Sequence, residues 1–394
     1  MKTRWFTNPI WVYSWIWILV MLVYNLGWSN YYNNLSVKLV SFFVVTFFLS
    51  FLGGYILETK NRNKFKKIQT SDYNLIMLLF LWGGYILEFL YSGGIPLVLV
   101  LKGSFGNYKD FTGIPTFHVI LASYTIFLGV YFYHQFVSTN NNKKLLLFLI
   151  LSILPNLLVL NRGAIMITLI SGLIIYLMKQ YIVRINKIIK IVLGILIVLF
   201  LFGQLGNMRN ELSADSKEYI LSLGGATDEF IYGNVPFEYY WGYLYIASPL
   251  GNLDNIINTY DPKFDIYNVP NLMFEFTPDF ISNRLRSIFN DGEVEDISSY
   301  LVVESLNAPT VYFRSYFLLG WAGIWAMFIF SMFSTICYLF ILPTSGKYYL
   351  TGLGILTSII ILNTFSNMWV SSGTVLIWPL IFSLFDKIKV KNNV

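Results

Sequence analysis

Cysteine is nearly missing from this chain: its 394 residues contain one, Cys337, so neither a disulfide framework nor a CxxC metal site can form. Histidine is almost as scarce, and His118 and His134 cannot complete a zinc site unaided. Charge is the third shortage. Asp, Glu, Lys and Arg together supply 12% of the residues, about half the share of a soluble domain. That is too little to solvate a water-soluble core of this size, and it excludes a cytosolic enzyme. No GxSxG elbow, P-loop or HExxH string occurs. No DxD-like pair marks a metal-dependent transferase of nucleotide sugars on the inner side, where acidic residues are almost absent.

What the chain has instead is apolar and aromatic. Hydrophobic residues make up 56% and aromatics 19%, with a mean hydropathy of +0.60. A bilayer core about 30 Å thick needs roughly 20 apolar residues per helix, because each backbone amide must be satisfied within the helix. Such stretches lie near residues 9–28, 37–57, 73–91, 117–137, 145–160, 163–178, 191–206, 313–336, 349–365 and 374–386. The expectation is an all-α polytopic membrane protein with about ten transmembrane helices. Residues 1–206 form an N-terminal bundle of about seven, and 313–394 supply about three more. The stretches 145–178 and 349–386 each carry a polar break, and either reads equally as a hairpin or as a long helix with a re-entrant piece. The first stretch lacks a small-residue cleavage site and reads as a retained anchor.

The net charge of +6 hints at nucleic acid until its placement is traced. Of 27 Lys and Arg, 17 fall in segments that share one side if the N-terminus is cytoplasmic. This is the positive-inside pattern, so both termini are expected in the cytoplasm, and no nucleic-acid partner follows. Residues 207–312 have the opposite character. From Glu211 to Glu304 they hold 16 of the 21 acidic residues, with dense Tyr, Trp, Asn and Pro. This segment reads as an ordered extracytoplasmic cap with short helices near 238–260 and 278–289, without an independent core.

Aromatic rings stack on the C–H faces of sugars while carboxylates and amides bind hydroxyls, so the cap suits a carbohydrate. Glu238, Tyr239, Tyr240, Trp241 and Tyr245 are the candidate contacts; an interfacial aromatic belt is the alternative. Arginines are the sharper signal. Arg162 interrupts two apolar runs, Arg209 follows the seventh stretch, and Arg314 enters the eighth. A guanidinium holds phosphate oxygens through paired hydrogen bonds without losing its proton, which suits a lipid diphosphate. Arg284 and Arg286 in the cap are further candidates. Arg162 paired with Glu88 is the structural alternative. His118, at the entrance of the fourth stretch, is a candidate proton acceptor or an interfacial packing residue. Glu238, Asp254, Asp279 and Glu304 are each placed to act as a base, and spacing does not choose between them.

Several strings occur in a telling order: GGIP and GIPTFH at 93–96 and 113–118, PNLLVLNRGAIM at 155–166, YLYIASPLGNLDNII at 243–257 and LNAPTVYFRSYFLLGWAGIWAM at 306–327. With the large loop between them, they resemble the bacterial oligosaccharide repeat-unit polymerases, the Wzy-type O-antigen and capsule polymerases. Leu318-Leu319-Gly320 departs from the pattern, where an acidic residue and glycine are usual, so no acidic catalyst is assigned there. The resemblance implies a GT-C-like, metal-independent glycosyltransferase of the plasma membrane that needs no cofactor. It would move a growing glycan from its polyprenyl diphosphate onto the non-reducing end of a new lipid-linked repeat unit at the outer face. By motif position it implies Arg162 and Arg314 as catalytic, with His118 as base; Arg209, Arg284 and Arg286 rest on loop placement. A chain-length regulator and a flippase are the protein partners it implies, alongside membrane lipid.

Two rivals remain. An O-antigen ligase has a similar layout but a different acceptor: its loss leaves no antigen, whereas loss of a polymerase leaves a core capped with one repeat. A flippase for lipid-linked sugars would show repeated halves and charges in mid-span.

Overall fold

The computed structural model describes residues 3–58, 65–102, 111, 113–139, 142–180, 184–211, 219–289 and 296–392. Their regular structure is helical, and the β feature among them is an isolated bridge between Ser29 and Ala226. Each expected apolar stretch is a helix. They run α1 (Pro9–Tyr24), α2 (Val37–Glu58), α3 (Asn74–Tyr91), the short α4 (Pro96–Leu101), α5 (Phe117–Ser138), α6 (Lys143–Leu158), α7 (Arg162–Lys179) and α8 (Ile185–Glu211). The cap adds α9 (Tyr219–Leu223), α10 (Asp228–Ile231), α11 (Glu238–Thr259), α12 (Val269–Phe274) and α13 (Asp279–Phe289). The chain closes with α14 (Phe313–Ile341), α15 (Tyr349–Leu362), α16 (Met368–Ser371) and α17 (Ile377–Asn392).

Among the described residues, α2, α3, α5, α7, α8 and α14 have helices long and apolar enough to cross a membrane, while α1, α15 and Gly373–Asp386 are shorter apolar helices. Their outward faces are bare: Ile197, Val198, Phe333 and Phe340 each expose more than half of their surface. Water would penalise that much open apolar area, and lipid does not. This is an integral membrane protein.

Local chemistry sets the helix starts. Asn8, Asn142 and Asn161 each accept a hydrogen bond from a first-turn amide, of Ile10, Lys144 and Ala164, at 2.9–3.1 Å. Asn161 makes 145–178 a hairpin, because the turn Val159–Asn161, with Leu160 at φ +60, separates α6 from α7. The second ambiguous stretch is different: α15 ends at Leu362 and the polar residues form the short α16 and a 3-10 turn before α17.

Contacts sort the ends of the helices. Asn8 Nδ2 reaches Gly54 O and Tyr13 Oη reaches Thr46 Oγ1, so α1 and α2 run antiparallel. Asn74 Nδ2 to Gln135 Oε1 at one end and Glu88 to His118 at the other do the same for α3 and α5. At the end holding the N-terminus, Lys66 donates to Thr344 O, Lys179 to Val137 O at 2.8 Å, and Lys347 pairs with Asp386 at 2.9 Å. At the other end lie residues 25–36 and the cap.

The cap is fused to the bundle. Its principal helix, α11, packs on α1, α8 and α14. Asn252, in the Pro-x-x-Asn-Leu string, donates to Leu306 O at 2.8 Å and accepts from Val302 N at 3.0 Å, holding the strap that leads into α14. Asp254 accepts from Ser36 N at 2.9 Å and so anchors the approach to α2; the base expected as one option there is a structural acceptor.

The stretch 313–336, expected as one unbroken helix, is broken at Leu319 and Gly320, where Gly320 has φ +56 and ψ −137. Asn268 Nδ2 donates to the carbonyl of Leu318 at 3.3 Å. The Gly-x-x-Gly string has a steric cause: Gly320 takes a left-handed conformation, and a Cβ on Gly323 would lie 1.8 Å from Ser315 O. Gly323→Ala is therefore expected to lower stability by about 1–3 kcal/mol, read as a fall in melting temperature in detergent. Gly194→Ala, with nothing within 4 Å of the added carbon, should leave melting unchanged or raise it slightly.

Candidate active site

The site starts from one carboxylate. Tyr85 and Glu88 lie on the inward face of α3, and Glu88 has 0% exposure. Opposite it the chain enters α5 through Thr116, a β-branched residue at φ +67, a conformation that costs energy. The first turn brings His118 Nδ1 to 2.8 Å from Glu88 Oε2, with the imidazole 29% exposed. An ionised carboxylate can only accept, so Nδ1 is the donor in this contact, and in the neutral imidazole Nε2 keeps the lone pair. Phe111 meets the ring edge-on at 5.5 Å. Glu88 thus pairs with His118, not with Arg162, and its second oxygen is buried without a partner.

Arginines surround this end of the bundle. Arg284, on α13, donates to Thr116 Oγ1, two residues before His118. Two residues along α13, Arg286 lies over the Phe274 ring at 4.3 Å and donates to Asn271 Oδ1 at 3.4 Å. Arg314, in the first turn of α14, stands 3.9 Å from Glu275 Oε1, and Asn367 Nδ2 donates to Glu275 O at 2.8 Å. Burial pushes the Glu275 carboxyl up, against the opposing pull of Arg314; Asp279 is shifted the same way for the same two reasons. Arg162 begins α7 and is exposed. Ser171 on α7 touches Ser358 on α15 at 3.1 Å. Arg162 lies about 13.5 Å from that contact along α7, at the end where α15 gives way to Asn363–Asn367.

The structure therefore brings His118, Arg162, Arg284, Arg286 and Arg314 to one end of the bundle. It does not place the aromatic cluster as expected. Tyr240 and Trp241 are core residues: the Tyr240 hydroxyl donates to Gly224 O at 2.8 Å and Trp241 Nε1 to Asn207 Oδ1 at 2.7 Å. With exposures of 0% and 6%, they offer no face to a sugar. Tyr239 packs on Phe200, and Tyr245 sits between Phe202 and Phe365 with part of its surface open. Glu238 accepts from Gln204 at 2.6 Å. Arg209 lies in α8, and its side chain is outside the described residues. Glu275, Thr116 and Asn367 are site residues that sequence reasoning missed; the signal for Glu275 was an acid embedded in NLMFEF. Among the described residues no three His, Cys, Asp or Glu side chains converge to hold a metal.

The described residues form a helical membrane bundle with a carboxylate–histidine pair at the end that also holds these arginines. The sequence model of the family described as O-antigen polysaccharide polymerase Wzy matches residues 5–233, more than half of the chain, and the chain belongs to that family. It is thereby a polysaccharide-biosynthesis protein whose family works on lipid-linked repeat units. His118 and Arg162 lie within the matched segment, whereas α12 to α14 lie beyond it. No curated protein and no solved structure matches the chain.

The Arg314–Glu275 contact is testable. Arg314→Ala leaves the Glu275 carboxylate only the weaker help of Asn367 and Arg286 and should cost about 1 kcal/mol, the pair being long and partly exposed. Adding Glu275→Gln should recover part of that loss in a double-mutant melting cycle.

Proposed function

We propose that this protein polymerises oligosaccharide repeat units carried on polyprenyl diphosphate at the outer face of the plasma membrane, and that the Glu88–His118 pair is its proton acceptor. The observation that carries this reading is the hydrogen bond at 2.8 Å, which fixes the imidazole with Nε2 as the basic nitrogen. The non-reducing-end hydroxyl of the acceptor repeat unit attacks the anomeric carbon of the donor glycan. The bond from that carbon to the diphosphate oxygen breaks, the diphosphate leaves with the electron pair, and the hydroxyl proton passes to His118 Nε2. Arg162 and Arg314 answer the charge that grows on the leaving diphosphate, with Arg284 and Arg286 holding the lipid-linked substrates. No divalent cation is required for this route.

This reading has the chain cross the membrane about ten times with both termini cytoplasmic. The lysine-rich connections meet at one end of the bundle, the positive-inside side, and the arginines of the site meet at the other. The architecture is then GT-C-like, with 207–312 as an extracytoplasmic cap resting on α8, α1 and α14. A flippase supplies the repeat units and a chain-length regulator sets the product size.

Purified protein incubated with synthetic polyprenyl-diphosphate repeat units and a chelator should give a ladder on a gel. Its absence with every matching repeat unit overturns the reading. Arg162→Ala and His118→Ala should each abolish the ladder with membrane insertion intact. Orientation has its own check: with Cys337 replaced by Ser, a cysteine at position 234 should react with an impermeant maleimide on intact cells, and one at position 142 should not.

A further inference from the structure

A second polar hollow lies at the opposite end of the bundle from the cap. Between the segment 66–73, the end of α5 and the turn 345–347 is a cavity of about 450 Å³. Lys66, Lys67 and Lys347 border it together with the hydroxyl residues Thr70, Ser71 and Ser345. Asp72 is the carboxylate in the same wall, and Asp386 is already tied to Lys347 at 2.9 Å. Positive charge therefore exceeds negative around the space, and the donors outnumber what the chain itself engages. Lys66 spends one N–H on Thr344 O, leaving two for a ligand. Lys67 is exposed.

The walls are held in place. Buried His134 bonds Lys66 O through Nε2 at 3.0 Å and Thr351 Oγ1 through Nδ1 at 3.2 Å, fastening the lysine segment to α5 and α15. Behind Gly346 the buried Ser383 Oγ has no hydrogen-bond partner, 3.7 Å from where a Cβ on that glycine would stand. Ammonium groups and hydroxyls around one space are the donor set for a tetrahedral oxyanion. The adjoining surface of α3 is apolar and open, with Leu75, Ile76, Leu79 and Phe80 each more than half exposed. An acyl chain beside that helix would carry its headgroup to the cavity.

We propose that this cavity binds a phosphate-bearing anion, supplied either as the headgroup of an anionic lipid of that leaflet or as free phosphate. The site is separate from the candidate active site: His134 lies about 24 Å from His118 along α5. It stands whether or not the polymerase reading does.

The full chain in detergent is loaded with phosphatidylglycerol or phosphatidylethanolamine and examined by native mass spectrometry, with a parallel melting series in inorganic phosphate. Lys67→Gln, an exposed and structurally mild change, is compared with the triple variant Lys66→Gln/Lys67→Gln/Lys347→Gln. For the lipid source, retained phosphatidylglycerol should exceed phosphatidylethanolamine. Retention should fall about fivefold in Lys67→Gln and on the order of a hundredfold in the triple variant. For the free anion, phosphate should raise the melting temperature of the wild type and lose that effect in Lys67→Gln, without preference between the lipids. Equal lipid retention and equal phosphate response in wild type and a folded Lys67→Gln overturn the proposal.

Discussion

A carboxylate with no solvent exposure, set in a helix whose other residues face lipid or core, costs several kcal/mol unless something shares its charge or its proton. Glu88 is that carboxylate, and the approach to α5 is arranged around it. The chain tolerates a left-handed Thr116 and a tight Ile114–His118 turn, in which His118 N bonds Ile114 O at 2.9 Å. The result is an imidazole delivered to Glu88 rather than to solvent. Because Thr116 also receives Arg284, the same turn joins the α3–α5 pair to the cap. One buried acid, one turn and one cap helix are thus linked through successive contacts.

The cap obeys the same constraint in another form. A helix laid on the end of a membrane bundle must satisfy its polar groups against whatever backbone the bundle leaves open there. Asn252 and Asp254, two residues apart in one turn of α11, and Tyr240 and Trp241 at its start, bond main-chain or side-chain groups of the bundle end and its straps. Their polar atoms are thus consumed by attachment. Past α11 lies the α12–α13 corner, where Glu275, Asp279, Arg284 and Arg286 collect.

The positions of the long helices were legible because an apolar run of membrane length needs no partner to be recognised. The two polar breaks were legible as breaks, but whether each was a hairpin turn or a re-entrant piece was not. Pairings were not. Glu88 precedes both His118 and Arg162 in the chain, and which one it meets depends on the rotation of α3 against α5, set by contacts such as Gly84 on Leu121. Composition likewise showed the Tyr and Trp of α11 to be dense without showing which way they point. A helix that is aromatic on its buried face and a cleft lined for sugars have the same residue counts. The break at Leu319–Gly320 was hidden because a kinked apolar run is as apolar as a straight one.

Helix direction adds an argument about charge. α5, α7 and α14 all begin at the cap end, and each carries a basic group in its first turn: His118, Arg162 and Arg314. Helix N-termini hold partial positive charge and unsatisfied N–H groups, so cations there work against local stability and anions relieve it. Of the two arginines, Arg314 is answered from within the chain by Glu275, while His118 meets Glu88 through Nδ1. Arg162 stands exposed, and Asn161 answers the N–H of Ala164 but not its charge. Three positive helix ends with two internal carboxylates leave an electrostatic deficit at one edge of the bundle. An anion placed there would relieve it.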